Sequence, residues 1–98
     1  MIMSTARDYI QPSKEAEYKK LIEKLIIETR KEEGNEGYTL YKDRENEGEY
    51  VLLEFWDSQE SLDRHFKTEH FMSIVPEIQK LQVKPSEVNT YVKEIEYD

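Results

Sequence analysis

Between residues 14 and 32, Tyr18, Leu21, Ile22, Leu25, Ile26 and Thr29 recur at steps of three and four, the spacing that lines one face of an α-helix. Ser13 is placed to cap the amino end, and Glu15 and Glu17 put negative charge in the first turn. Arg30 and Lys31 complement the carboxyl end of the dipole, and Gly34 can adopt the left-handed cap conformation. Ahead of this helix, Met1 to Gln11 reads as a short strand ended by Pro12-Ser13.

Two runs rich in aromatic and branched residues follow, Tyr38 to Lys42 and Tyr50 to Trp56, separated by the polar stretch Asp43 to Glu49. They predict a β-hairpin. Ser58 is a second N-cap, and Leu62, His65 and Phe66 share one face of the helix it opens. A further stripe of Phe71, Ile74, Val75, Ile78 and Leu81 contains Pro76, which predicts two short helices or one that restarts near the proline. After Pro85, Glu87 to Tyr97 reads as a last strand.

The order strand, helix, strand, strand, helix, strand is that of a ferredoxin-like βαββαβ domain of the α+β class, one domain over residues 1–98. On the strand from Tyr50, one face carries Tyr50, Leu52, Glu54 and Trp56 and the other Val51, Leu53 and Phe55. Both faces are apolar, and a layer of helices covers only one of them. The second face is therefore expected to pack on another copy, giving a homodimer about a two-fold axis.

Composition narrows the function. The chain carries 22 acidic and 14 basic residues, a net charge of −8. Such a field repels phosphates and anionic headgroups, so neither nucleic acid nor a membrane surface is an expected partner. No apolar run is long enough to span a membrane, and the start lacks the pattern of a signal peptide, so a cytoplasmic protein is expected. With no cysteine and only two histidines there are no thiolate sites and little for a metal. The three glycines are scattered, and no phosphate-cradling loop or dinucleotide fingerprint is present, so no cofactor is expected.

Three residues stand out. Glu54 is a carboxyl group on a strand with two apolar faces, and needs a partner or a raised pKa. Trp56, two residues on, shares its face. His65, between Leu62 and Phe66, points from the second helix back to the sheet, where an imidazole in an apolar pocket can take a proton from a phenol or an enolisable ketone. Each also has a structural reading: a hydrogen-bonded acid, a core aromatic, a satisfied core histidine. On a continuous helix His70 would lie about 140° around from His65, and no metal site is expected from the pair. The Lys- and Glu-rich side of the first helix and the acidic stretch Glu45 to Glu49 read as solvated surface.

The segments Glu32-Glu33-Gly34-Asn35-Glu36-Gly37-Tyr38, Glu54-Phe55-Trp56-Asp57-Ser58 and His65-Phe66-Lys67-Thr68-Glu69-His70-Phe71 together resemble the antibiotic biosynthesis monooxygenase family and its bacterial quinol monooxygenases, over about Ala6 to Leu81. The resemblance implies a dimeric α+β barrel and oxygenation without a cofactor. A quinol or polyphenol would be deprotonated in an apolar cleft, and its anion would react directly with O2. Matched residue by residue, His65 would be the base, Trp56 a pocket wall and Glu54 an orienter of a neighbouring polar group. Asn35 and Phe66 would be further contacts to the substrate.

The heme-degrading branch of the superfamily fits less well, since this chain has no asparagine before Asn35, His65 stands where that branch has tryptophan, and Val75 lies near its heme-ligating histidine. Two other readings stay open: an isomerase of a small phosphorylated dione, as in quorum-signal breakdown, and a dimer that binds an aromatic metabolite without turning it over. The acidic balance disfavours a phosphorylated substrate.

Overall fold

A computed structural model describes residues 1–97. Strand β1 (Ile2–Ile10) leads through a 3₁₀ turn (Pro12–Lys14) into helix α1 (Glu15–Thr29). The hairpin β2 (Asn35–Lys42) and β3 (Glu49–Trp56) follows, then helices α2 (Gln59–His65) and α3 (Glu69–Gln79), and last β4 (Gln82–Val92). The strands form one antiparallel sheet in the order β2-β3-β1-β4, with β3 and β1 central. This is the expected ferredoxin-like arrangement.

The period of two along β3 sorts its residues between the faces. Tyr50, Leu52, Glu54 and Trp56 are buried and alternate with half-buried Val51, Leu53 and Phe55. The buried set meets Tyr18, Ile22 and Leu25 from α1, Leu62 from α2 and Ile78 from α3. Each such aliphatic side chain withdrawn from water contributes about 1.5–3 kcal/mol. On the opposite face the register aligns Met3 with Phe55 and Tyr91, and Thr5 with Leu53. Tyr41 and Tyr91 are exposed there, and no element among the described residues covers this face.

Several boundaries differ from the sequence pattern, most of them for a local reason. Ser13 lies inside the 3₁₀ turn and caps nothing, so α1 begins at Glu15 behind Lys14. At its other end α1 stops at Thr29, short of residue 32, and tight turns bonded Lys31 to Glu28, Glu32 to Thr29 and Asn35 to Glu32 carry the chain into β2. Helix α3 runs through Pro76, because Pro76 and Met72 both face solvent and the carbonyl freed by the proline lies on the wet side. The helix break falls earlier, at Phe66 to Thr68.

Strand β4 begins at Gln82 rather than Glu87 and ends at Val92, so residues 93–97 are not strand. Pro85 is tolerated because β4 is an edge strand and the proline sits in a bulge. Pro85 and Ser86 together span the interval that Asp8 alone spans on β1. The bulge turns Ser86 inward, where its hydroxyl donates to Asp8 Oδ1 at 2.6 Å.

Candidate functional site

The site is built where α1, α2 and α3 converge over the end of β3. Ser58 caps α2, its Oγ accepting from the Ser61 amide at 3.2 Å, as the sequence indicates. His65 is the last residue of α2, and its carbonyl accepts from the Thr68 hydroxyl at 2.8 Å. That hydroxyl in turn accepts from the Phe71 amide at 3.3 Å and opens α3. The turn at Phe66 to Thr68 thus resets the helix direction, and the rotation that would separate His65 from His70 on a continuous helix does not apply.

Both imidazoles converge on one carboxylate. Glu32 Oε2 lies 2.7 Å from His65 Nδ1 and 2.6 Å from His70 Nε2. Glu32 is held there by the turns after α1 and by Gly34, whose φ of +90° only glycine adopts readily. A Cβ at Gly34 would fall 2.6 Å from Ser61 Cβ and 2.7 Å from Asp57 Oδ1, so this loop packs directly on the start of α2.

A carboxylate can only accept, so the His65 proton sits on Nδ1 and the lone pair on Nε2. Nε2 has no hydrogen-bond partner among the described residues, and the ring forms part of a cavity wall. His65 is 1% exposed, with ring centroids of Trp56 at 4.8 Å, Phe71 at 5.0 Å, Tyr38 at 5.6 Å and Phe66 at 5.8 Å. Burial in this cage lowers its pKa, and outweighs the opposing hydrogen bond and charge of Glu32.

The cavity, about 80 Å³, lies between the sheet and the helices. Ile22, Leu25, Leu52, Val75 and Ile78 supply apolar wall, and Phe66, 40% exposed, reaches it from the outside. Its buried polar groups Ser4, Asp8 and Glu54 come from the sheet, and Ser86 of β4 and the exposed Gln79 of α3 also line it. Burial pushes the Glu54 carboxyl up to about 7, against the hydrogen bond it accepts from Trp56 Nε1 at 3.0 Å. Burial also raises Asp8, although Ser86, Tyr18 and Gln82 all donate to it.

Of the residues singled out in the sequence, His65, Glu54 and Phe66 meet at this cavity. Trp56 does not line it. The indole is wholly buried beneath the His65 ring and serves as its floor and as a donor to Glu54. Glu54 correspondingly orients the indole and makes no bond to His65. Asn35 is also off the cavity, because the bulge at the start of β2 spends its amide on the carbonyls of Gly37 at 3.2 Å and Phe55 at 3.4 Å. Glu32 and His70 emerge only in three dimensions. Glu32 lies beyond the end of α1 with its side chain only 12% exposed. The cap at Thr68, three residues before Phe71, is the signal that separates His70 from the helix of His65.

The family model for antibiotic biosynthesis monooxygenases matches residues 1–77. A Bacillus subtilis (strain 168) protein named "Putative monooxygenase YcnE" is 31% identical over 88 residues, 90% of this chain and 93% of that one. An uncharacterised Synechocystis protein is 30% identical over 82 residues, and there the match covers 84% of this chain but only 56% of the relative. The crystal structure of a conserved protein from Methanosarcina mazei Go1 superposes with a TM-score of 0.93 at 36% identity, covering 95% of this chain and 92% of that one. The chain belongs to the antibiotic biosynthesis monooxygenase family.

Proposed function

We propose that this protein is a cofactor-independent monooxygenase acting on a quinol-type aromatic with O2, and that it works as a homodimer joined through the open sheet face. The observation that carries the reading is His65 in the cavity wall, with Nδ1 held by Glu32 and Nε2 without a hydrogen-bond partner among the described residues. His65 Nε2 takes the phenolic proton, and Glu32 stabilises the imidazolium that forms. Glu54, with a pKa of about 7, is part-protonated near neutral pH and can donate to a second substrate oxygen. The apolar wall keeps the anion dry, so that its charge remains available for reaction with O2.

The stoichiometry closes without a further reductant. One quinol and one O2 give one hydroxyquinone and one water: a ring C–H becomes a C–OH, and the ring supplies four electrons in all. One oxygen atom enters the product and the other leaves as water. A phosphorylated dione is a poorer fit, since the cavity wall presents two carboxyl groups and, among the described residues, no lysine or arginine.

The test is turnover of a hydroquinone panel by metal-stripped protein under ¹⁸O2, with product mass as the readout. One labelled atom per product, lost in a folded His65→Gln variant, is the expected result. Autoxidation gives unlabelled quinone and hydrogen peroxide. Label at the level of the protein-free blank overturns the reading.

A further inference from the structure

We infer that Glu32, His65 and His70 form a site for a zinc-like divalent ion, on the side of His65 that faces away from the cavity. Their ligand atoms, Oε2, Nδ1 and Nε2, all lie within 4.8 Å of one another. They come from three separate pieces of chain: the loop after α1, the last residue of α2 and the second residue of α3. Two imidazoles and one carboxylate are the donor set of an open three-ligand zinc centre, with the fourth position left to water.

The geometry is close to what the ion needs. With zinc–ligand bonds of about 2.0–2.1 Å, tetrahedral ligand atoms sit about 3.3 Å apart. Glu32 Oε2 is now 2.6 and 2.7 Å from the two ring nitrogens, so the carboxylate must withdraw by less than about 1 Å, while the two ring nitrogens, within 4.8 Å of each other, close by up to about 1.5 Å, a movement left to the less buried His70. Each ring can move its proton to its other nitrogen, which frees both lone pairs toward the carboxylate with no net proton loss. His65 is sealed in the aromatic cage, whereas the Glu32 and His70 side chains are 12% and 18% exposed and leave an entry side for the ion and its water. The net charge of −8 favours the approach of cations.

Neither Glu32 nor His70 lines the cavity, so an ion there touches it only through the imidazole. With the metal on Nδ1, Nε2 carries the proton and becomes a donor instead of an acceptor. The site stands on its geometry alone. Its effect on turnover rests on the proposed role of His65 as base, and on that reading zinc inhibits.

Binding is tested without reference to activity. The metal-stripped chain is titrated with zinc chloride by calorimetry, and with cobalt(II) by visible absorption. One ion per chain is expected, with the intense cobalt bands of tetrahedral coordination, and affinity at least about tenfold weaker in His70→Ala and in Glu32→Gln. Circular dichroism and melting curves establish that the variants are folded. Equal affinity in wild type and both folded variants overturns the site, as does a cobalt spectrum no different from the aqueous ion. If zinc binds but leaves quinol oxygenation untouched, the site holds and the base assignment of His65 fails.

Discussion

Glu32 Oε2 and His65 Nδ1 meet at 2.7 Å across 33 positions of sequence, a carboxylate fixing the tautomer of a buried imidazole whose other nitrogen is free. Removing the charge while keeping the shape isolates that effect. Glu32→Gln is expected to lower kcat about 10–100-fold, the usual cost of losing a group that orients a functional histidine, with the melting temperature within a few degrees of wild type. His65→Gln should remove turnover above the autoxidation blank. Steady-state oxygen uptake measures both, and a Glu32→Gln kcat equal to wild type would remove Glu32 from the mechanism.

Glu54 makes a prediction about stability and pH. Its carboxyl is raised from an ordinary 4.5 to about 7 in the folded chain, chiefly by burial. Between those values the folded state binds more protons than the unfolded one. The stability this group contributes is therefore full below about 4.5, falls as pH rises, and is lost above about 7. His65, lowered by burial, has the opposite slope, but it is common to wild type and Glu54→Gln and leaves their difference. Urea unfolding from pH 4.5 to 8 should show wild type losing about 2–3 kcal/mol relative to Glu54→Gln across that window. A difference independent of pH would mean that the carboxyl titrates normally.

Gly34 fixes the loop that delivers Glu32. An alanine there meets two separate penalties, a φ of +90° and a Cβ within 2.6 Å of Ser61 Cβ on the rigid start of α2. Gly34→Ala is expected to cost about 2–4 kcal/mol in denaturant unfolding, and to reduce oxygen uptake even at temperatures where the variant remains folded, because Glu32 is displaced with the loop. A loss below about 1 kcal/mol would show that the loop re-forms around the new methyl group.

The two faces of β3 were legible in the sequence because a period of two reports both sides of a strand at once. Glu54 and His65 were legible because polar groups at apolar positions demand a partner or a use. What local pattern could not show was set by tertiary context. Pro76 breaks no helix when its turn is wet, Pro85 ends no strand when it sits in an edge bulge, and Trp56 leaves the cavity wall because His65 lies over it. The convergence of His70 and Glu32 depends on a helix break that only the Thr68 cap announces.

The outward face of the sheet predicts the state of assembly. Leu53 and Phe55 on central β3 lie beside Thr5 and Met3 on β1, and exposed Tyr41 and Tyr91 flank this surface. Placing a charge at its centre desolvates that charge in any face-to-face pairing of sheets. Wild type should sediment as a dimer, and Leu53→Glu as a folded monomer or as a dimer weakened at least about 100-fold. A monomeric wild type at high micromolar concentration would refute the homodimer.

Phe66 is expected to govern what the cavity admits. A cavity of about 80 Å³ is roughly half the 150 Å³ or so that holds a benzene ring, so a quinol enters only if a wall moves outward. Phe66 is the aromatic wall residue placed to do so, being 40% exposed and in the turn between α2 and α3, whereas Leu25 and Leu52 are locked in the core. Phe66→Ala should lower KM for two-ring quinols and raise it for one-ring quinols, which lose their packing partner. The crossing of these two trends separates a gating wall from a merely structural one. A uniform rise in KM for both classes would mean that Phe66 packs against every substrate without limiting its size, and the opening would then have to be sought at Phe71, whose ring centroid lies 5.3 Å from that of Phe66.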